Sequence, residues 1–362
     1  MKLKINKKTN IYIIIPANLR PGGPKDLHYL AYIIKKKLKK KVFIYYYSIQ
    51  GHKQKKNPVH PDYEVFKIPY VKNIVDKKEN ILIIPEMNYT IDISKQFNNI
   101  QKVLWWMSFD NYLYSRFQEK NHKILKSLLK APFKIIDFFN KSTNFILGNI
   151  NFFQYLKFIY LKMFFYNVLK VDNIKLNLSQ CEYITTTLKS KKIKSEYFSG
   201  YLKDDFIKNE KKTLIKKKKN IVCYNKRKSL PFMDLIIKKN PSIRFIPLEG
   251  FSTKEVIEVL KLSKLYIDFG YHPGQDHLPR EAVILKNCII TNKKGSAAYF
   301  KDMPIPDEFK FDESYSNLLK ITKQIKLVFS DYDIQLKKFK FFRNSVRFQE
   351  NKFKKQVYKI FQ

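Results

Sequence analysis

The chain has 362 residues, of which 44% are hydrophobic, and this is enough to build two domains of ordinary size. That composition excludes disorder as a description of the whole chain. Lysine and arginine number 71 against 31 aspartates and glutamates, so the net charge is +40. Such a surplus attracts anions, among them nucleotide diphosphates, lipid headgroups and nucleic acid, and charge alone does not choose between them.

Cellular location is indicated by what the chain lacks. No stretch of about eighteen uncharged apolar residues occurs, so we expect no membrane-spanning helix. The first apolar run, IYIIIP, is too short for a signal peptide. Cys181, Cys223 and Cys288 are widely spaced among apolar residues, which favours buried free thiols in a reducing compartment. We therefore expect a cytoplasmic protein.

Short apolar runs alternate with helical patterns in the first half of the chain. The predicted strands cover residues 11–16, 42–48, 81–85 and 103–107, a helix covers 25–40, and later elements lie at 176–178 and 183–187. Continuous apolar runs that end at Pro, Gly or Asn are typical of a parallel sheet covered on both faces.

The same alternation begins again after a lysine-rich linker at 210–220. The predicted strands cover 221–224, 245–247, 265–269 and 288–291, and the predicted helices cover 232–239, 254–262 and 280–286. The sequence therefore predicts an α/β protein with two Rossmann-like doubly wound domains facing a cleft. We assign residues 1–205 to the first domain, 206–335 to the second, and 336–362 to a helical tail that packs back on the first domain.

An aromatic and basic segment at 122–170 interrupts the first domain. It contains eight lysines and one acid, Asp137, and its first part places apolar and lysine side chains on different helical faces. A basic amphipathic helix with aromatic residues suits an anionic membrane interface. The alternative is a helical insertion that packs on the first domain and keeps a solvated lysine face.

Polar residues are concentrated after the predicted strand at 265–269, in the sequence GYHPGQDHLPREA. Gly270 and Gly274 let the backbone approach a ligand, and Pro279 is suited to the start of a helix. The unpaired N–H groups of a helix start bind phosphate. Arg280 or His272 can hold diphosphate charge as a leaving group departs, so we predict both as catalytic residues.

This layout resembles the sugar-nucleotide half of GT-B glycosyltransferases, especially retaining family-4-like enzymes and proteins of bacterial surface-polysaccharide clusters. The counterparts here are Asp268 or Asp276, then Glu281 at the helix start, then the NCIIT strand and the GSAAY loop that contains Ser296. The resemblance implies that Glu281 binds the nucleotide ribose and that Gly274, Asp276 and Ser296 line the donor site. The alternative is that Asp276 and His277 cap the helix, with Arg280 and Glu281 as a surface pair.

The segment YNKRKS follows the first strand of the second domain. The resemblance implies that basic residues at this turn clamp the donor diphosphate, which makes Arg227 and Lys228 donor-binding candidates. The alternative is that they are solvated loop charges.

The first domain supplies the remaining candidates. Gly22 and Gly23 lead from the first strand into a helix, and we predict that they approach donor phosphate, although a simple strand–helix turn would look the same. Glu86 follows a strand and His28 lies near that turn, so we predict acceptor contacts for both. Asp110 follows the strand at 103–107. Either Asp110 or Glu86 could bind acceptor hydroxyls or act as a base, and we predict Asp110 as the catalytic residue.

These observations together predict a glycosyltransferase that takes a sugar from a nucleotide-diphosphate sugar. The expected acceptor is a lipid-linked glycan or a lipopolysaccharide glycan, in the biosynthesis of lipopolysaccharide or capsule. We expect the enzyme to meet it at an anionic membrane surface, the inner face of the cytoplasmic membrane. The resemblance implies no metal, and we expect no cofactor beyond the nucleotide-sugar co-substrate and no nucleic-acid partner. Two alternatives are a basic nucleic-acid-binding protein and a catalytically inactive GT-B scaffold.

Overall fold

The computed structural model describes residues 3–19, 22–48, 56–117, 173–202, 204–229 and 232–362. The described residues form two compact units. The first contains residues up to 116 together with 173–201 and 349–362, and the second contains 202–348. The predicted insertion at 122–170 lies outside the described residues, so its helical structure and its membrane contact stay predictions.

The first unit contains a parallel seven-stranded sheet with the order β3-β2-β1-β4-β5-β6-β7. Its strands are β1 (Asn10–Pro16), β2 (Lys41–Tyr47), β3 (Tyr70–Val71), β4 (Ile81–Pro85), β5 (Gln101–Trp106), β6 (Ile174–Ser179) and β7 (Glu196–Tyr197). Its helices are Gly22–Lys37, Pro61–Glu64, Asn88–Lys95, Phe109–Phe117, Glu182–Ser190 and Gln349–Phe361. The strand order reverses between β1 and β4, as in a doubly wound fold.

The apolar runs that predicted the strands form the core of this unit. Strands β1 and β4 consist mostly of isoleucine and are buried along nearly their whole length, because both faces of the sheet are covered. Helix Gln349–Phe361 adds Phe353, Val357 and Phe361 to the same core, at the four-residue spacing of one helical face.

The predicted tail, residues 336–362, is divided between the two units. Helix Gln349–Phe361 packs in the first unit, where the Phe353 ring lies 5.1 Å from that of Phe198. Phe339, Phe342 and Val346 lie in the core of the second unit instead.

The second unit contains a parallel four-stranded sheet with the order β11-β10-β8-β9. Its strands are β8 (Lys219–Tyr224), β9 (Arg244–Pro247), β10 (Ser263–Asp268) and β11 (Cys288–Thr291). Its helices are Asp204–Glu210, Lys226–Ser229, Phe232–Lys239, Thr253–Leu262, His277–Ile284, Leu318–Ser330, Tyr332–Lys338 and Lys340–Arg347. Single 3₁₀ turns lie at Ile215–Lys217, Gly295–Ala298, Asp307–Phe309 and Tyr315–Asn317.

The helix after β10 begins earlier than the sequence predicted. It runs from His277 to Ile284 with Asp276 at its N-cap, so Arg280 is its fourth residue and Glu281 its fifth. Pro279 lies inside the first turn, where its missing N–H would have had no helical partner in any case. The expectation that Glu281 lies on the first turn is therefore wrong.

The three cysteines are free and buried, as predicted. No helix within the described part of the chain is both long and apolar enough to cross a membrane.

A buried lysine joins three elements on the edge of the sheet where β8 begins. The Lys218 ammonium donates to the carbonyls of Leu260 at 2.8 Å, Ser263 at 2.7 Å and Leu285 at 2.6 Å. Leu260 and Leu285 lie at the C-terminal ends of two helices, whose last carbonyls have no helical partner. The ammonium therefore satisfies oxygens that would otherwise be buried without a donor.

Substitution Lys218→Met is expected to lower the free energy of unfolding by about 2–4 kcal/mol, because the carbonyls of Leu260 and Leu285 would lose this donor, whereas that of Ser263 keeps the Asn287 amide. The matched control is Lys219→Met, which alters the exposed neighbour at the start of β8. Urea unfolding followed by circular dichroism measures both. Equal midpoints for the two variants would contradict the assigned role.

Candidate functional site

The site lies at the C-terminal edge of the second sheet. Strands β8 and β10 are neighbours in this sheet although β9 lies between them in sequence, and β9 pairs on the other side of β8. The segments after β8 and β10, residues 225–229 with their short helix and the loop 269–276, therefore leave the sheet side by side. In open α/β sheets such a reversal of strand order is where ligands bind.

Lys228 and Asp276 form an ion pair between these two segments. Lys228 Nζ lies 2.8 Å from Asp276 Oδ2, and the two side chains are 35% and 19% exposed. Burial alone would raise the pKa of Asp276, but Lys228 and His272 outweigh it and hold that pKa below its usual range. Asp276 occupies the N-cap position but makes no side-chain bond to the helix, so the capping alternative is wrong.

His272 lies beneath this pair and is fully buried. Its Nδ1 is 2.8 Å from Asp276 Oδ2, and its Nε2 is 3.1 Å from the hydroxyl oxygen of Thr291 at the end of β11. Burial alone would lower the pKa of His272, but the charges of Asp268 and Asp276 outweigh it and raise that pKa.

Asp268, the last residue of β10, is buried and held by three donors. Its carboxylate accepts from the Tyr266 hydroxyl at 2.7 Å, the Gly270 N–H at 2.9 Å and the Asn225 amide at 3.3 Å. Sequence reasoning named Asp268 as one of two candidates for the first acid of the motif. It missed Tyr266, Asn225 and Thr291. The signal for Asn225 and Thr291 was their position at or next to a strand end, whereas Tyr266 lies inside β10.

Two glycines allow the loops to approach this closely. A Cβ at Gly270 would lie 2.2 Å from the Cβ of Lys228, so a side chain there would displace the lysine. Gly295 has a φ of +59°, and a Cβ there would lie 2.0 Å from the carbonyl oxygen of His272. Both positions therefore require glycine.

Ser296 ties the loop of His272 to the segment after β11. Its backbone N–H donates to the carbonyl of His272 at 2.8 Å, and its hydroxyl donates to the carbonyl of Gly274 at 2.7 Å. The predicted donor-site residues Gly274, Asp276 and Ser296 are thus brought together with Lys228 in one cluster.

Arg280 is 1% exposed and lies under the same loop. Its guanidinium donates to the carbonyls of Asp276 at 2.9 Å and Gln275 at 2.8 Å. The alternative of a surface pair with Glu281 is therefore wrong for Arg280, and the half-buried Glu281 follows it on the helix. The side chain of Arg227 lies outside what the structure describes, so its predicted role stays a prediction.

In the first unit, Glu86 follows β4 and is buried. Its carboxylate accepts from the N–H of Met107 at 3.1 Å, and burial raises its pKa to about 7. Asp110 accepts from the Tyr183 hydroxyl at 3.1 and 3.0 Å. Their predicted acceptor and base roles remain predictions.

His28 is buried within the helix that begins at Gly22. Its Nδ1 lies 2.6 Å from the carbonyl of Pro24, so that nitrogen carries the proton, and Nε2 accepts from the Tyr46 hydroxyl at 2.7 Å. Burial lowers the pKa of His28 to about 4, which keeps the ring neutral at pH 7. Gly23 is the second residue of the same helix, and a Cβ there would make only ordinary contact, at 3.4 Å from Met107 Cε.

The raised pKa of Glu86 predicts a pH-dependent loss of stability. The stabilising contribution of Glu86 to the free energy of unfolding is complete below the ordinary pKa of a glutamate, 4.5. It is lost as the pH rises through the raised pKa of about 7. The wild-type protein should therefore lose about 3 kcal/mol of unfolding free energy from this group across that window. Glu86→Gln should remove this loss, whereas Glu64→Gln, at an exposed acid, should keep it. Urea unfolding at pH 4.5 and 7.5 tests this, and equal pH dependence in both variants would refute it.

No protein-family model and no curated protein matches the sequence. Solved structures do match over nearly the whole chain. Anabaena HepE in complex with UDP-glucose has a TM-score of 0.56 at 9% identity and covers 97% of this chain and 98% of its own. WaaG, a glycosyltransferase involved in lipopolysaccharide biosynthesis, has a TM-score of 0.51 at 10% identity and covers 96% and 99%.

A third similar structure is an alpha-glucosyltransferase in complex with UDP and a 13-mer DNA that contains a central A:G mismatch. It has a TM-score of 0.51 at 13% identity and covers 98% of this chain and 100% of its own. The protein therefore has the GT-B fold predicted from its sequence, built from parallel sheets of seven and four strands.

Proposed function

We propose that the protein is a glycosyltransferase that transfers a sugar from a nucleoside diphosphate sugar. The observation that carries this proposal is the Lys228–Asp276–His272 cluster at the strand-order reversal of the second sheet. The GT-B fold supports it, since similar structures contain UDP or UDP-glucose.

Lys228 and the start of helix His277–Ile284 are the proposed ligands of the donor diphosphate. An ammonium has three N–H donors, and Asp276 occupies one of those of Lys228, which leaves donors for phosphate oxygens. The helix start adds the backbone N–H groups of His277 and Leu278 and the positive end of the helix dipole. Glu281 keeps its proposed role as the ribose ligand.

Transfer breaks the bond between the anomeric carbon and a phosphate oxygen, and negative charge develops on the departing diphosphate. Lys228 and the helix start stabilise that charge because they are fixed before the reaction. Arg280 acts one step away, since its guanidinium holds the carbonyls of the loop that carries Asp276. Asp110 is the proposed base for the acceptor hydroxyl.

The proposed acceptor is a membrane-associated glycan of lipopolysaccharide or capsule-type biosynthesis. The net charge of +40 supports an anionic membrane surface as the site of action, and WaaG is a similar structure with a role in lipopolysaccharide biosynthesis. In this proposal the enzyme works as a peripheral protein on the inner face of the cytoplasmic membrane.

Nucleic acid is the second candidate acceptor. The same charge favours it, and the similar alpha-glucosyltransferase is in complex with DNA. Binding to anionic vesicles and to a DNA duplex, each measured across a salt series, separates the two acceptors. Tight duplex binding without vesicle binding would overturn the membrane proposal.

Calorimetry with uridine, guanosine, cytidine and adenosine diphosphate sugars tests the activity itself. We expect one nucleotide to bind with micromolar affinity, and a donor hydrolysis assay with that sugar to show slow turnover without acceptor. Failure of all four nucleotides to bind would overturn the proposed function and favour an inactive GT-B scaffold.

A further inference from the structure

The first nitrogen of the buried His272 ring faces a group that can only accept. Asp276 Oδ2 lies 2.8 Å from Nδ1 and also receives the Lys228 ammonium at 2.8 Å. A carboxylate beside an ammonium is ionised, and an ionised carboxylate has no hydrogen to donate. Nδ1 therefore carries a proton.

The second nitrogen faces a hydroxyl whose hydrogen is already in use. Thr291 Oγ1 lies 2.8 Å from the carbonyl oxygen of Asp268 and 3.1 Å from His272 Nε2. The carbonyl can only accept, and the hydroxyl has one hydrogen, so Thr291 donates to Asp268 and turns a lone pair to Nε2. Nε2 therefore carries a proton as well.

The surrounding charges favour this doubly protonated ring. Asp276 faces it from its own loop, Asp268 lies below it at the end of β10, and Lys228 approaches from the helix after β8. Arg280, from the next helix, binds the carbonyl of Asp276. The two carboxylates outweigh both burial and Lys228, so the pKa of His272 is raised.

We propose that His272 is an imidazolium in the folded protein and acts as a positioning residue. It fixes the position of the Asp276 carboxylate by a hydrogen bond, and Asp276 in turn fixes Lys228 where its ammonium can bind the donor diphosphate. His272 itself is too buried to touch the donor. Thr291 and Asp268 maintain its charge. The link to donor binding rests on the proposed function, whereas the protonation state does not.

The charge balance predicts how the site responds to pH. With His272 charged, Lys228 and the ring balance Asp268 and Asp276. When the ring loses its proton, the cluster beside the proposed diphosphate site loses one positive charge, so UDP binding should weaken as the pH rises through the titration of His272. UDP alone is the probe.

The first experiment records the imidazole ¹⁵N resonances of the nucleotide-free protein between pH 5 and 9.5. We expect one histidine to stay doubly protonated at pH values where free histidine, with a pKa of about 6.5, is neutral. Its signals should disappear in His272→Gln and remain in His60→Gln, a substitution of a half-buried histidine in the first unit. A neutral His272 at pH 6.5 would overturn the proposal.

The second experiment compares Thr291→Val with Thr291→Ser. Valine has nearly the same shape but cannot accept from Nε2, so the midpoints of the His272 titration and of UDP affinity should both move about one pH unit lower. Serine keeps the hydroxyl and should restore both midpoints. An unchanged UDP profile in a folded Thr291→Val protein whose ring titration has moved would refute the positioning role.

The two experiments separate this inference from the proposed function. If the imidazolium is observed but UDP does not bind at any pH, the proposed function is wrong and the protonation state stands. If UDP binds while His272 is neutral, the proposed function stands and the inference is wrong.

Discussion

Lys228→Met is expected to weaken UDP binding 10- to 100-fold. A hydrogen bond to a charged group contributes about 1.5–3 kcal/mol, which corresponds to a factor of this size in the dissociation constant. Methionine keeps most of the aliphatic side chain that lies against Gly270, so the loop should hold its shape. Isothermal titration with UDP at pH 7 and low salt measures the effect, because a partly exposed charge is screened at higher salt.

The neighbouring lysine offers a matched control. Lys226 lies on the same short helix, but its ammonium pairs with Glu249 at 3.0 Å, and both side chains are well exposed. An exposed pair of this kind contributes little, so Lys226→Met should leave UDP affinity within about twofold of the wild-type value. If both substitutions weakened UDP binding equally, the effect would come from general positive charge, and the assignment of Lys228 would be wrong.

Gly295→Ala is expected to lower the free energy of unfolding by roughly 3 kcal/mol or more. A non-glycine residue at positive φ costs about 1–2 kcal/mol. The added Cβ would also lie 2.0 Å from the carbonyl oxygen of His272, so the backbone of one loop has to move. Because that movement carries His272 with it, UDP binding should be lost together with stability.

Gly250→Ala separates the two causes. Gly250 also has a positive φ, at +76°, but a Cβ there would meet nothing within 4 Å. Its substitution should therefore lower the free energy of unfolding only by the cost of the positive φ, about 1–2 kcal/mol, and should leave UDP binding unchanged. Thermal and urea unfolding of both variants test the comparison. Equal losses would show that Gly295 is needed for its φ alone and not for the close contact with His272.

Hydrophobic pattern predicted most of the strands. The predicted strands 81–85 and 288–291 are confirmed at Ile81–Pro85 and Cys288–Thr291, and the other predicted strands are shifted by at most two residues at either end. Runs of buried β-branched residues specify a covered parallel strand strongly. The short strands β3 and β7 were missed, because two residues at the edge of a sheet carry no apolar run.

The candidate site was predicted in part. The cluster around Asp276 was found because glycines and charged residues follow a strand, and Lys228 was found because it follows the neighbouring strand. Lys228 pairs with Asp276 because β8 and β10 are neighbours in the sheet. The local sequence pattern does not predict strand order, so this pairing was not foreseen. The contacts of Arg280 with loop carbonyls were not predicted, since a guanidinium on a helix gives no local sign that such carbonyls surround it.

The division of the C-terminal region at residue 348 has a consequence for how the protein acquires its structure during synthesis. The ribosome makes residues 202–348, which form the described part of the second unit, before it makes the helix that supplies Phe353, Val357 and Phe361 to the first core. Domains that are continuous in sequence usually form in the order of translation. Here the core of the first unit remains incomplete until the second unit has been made, so the apolar surface that this helix covers stays exposed to water for longer.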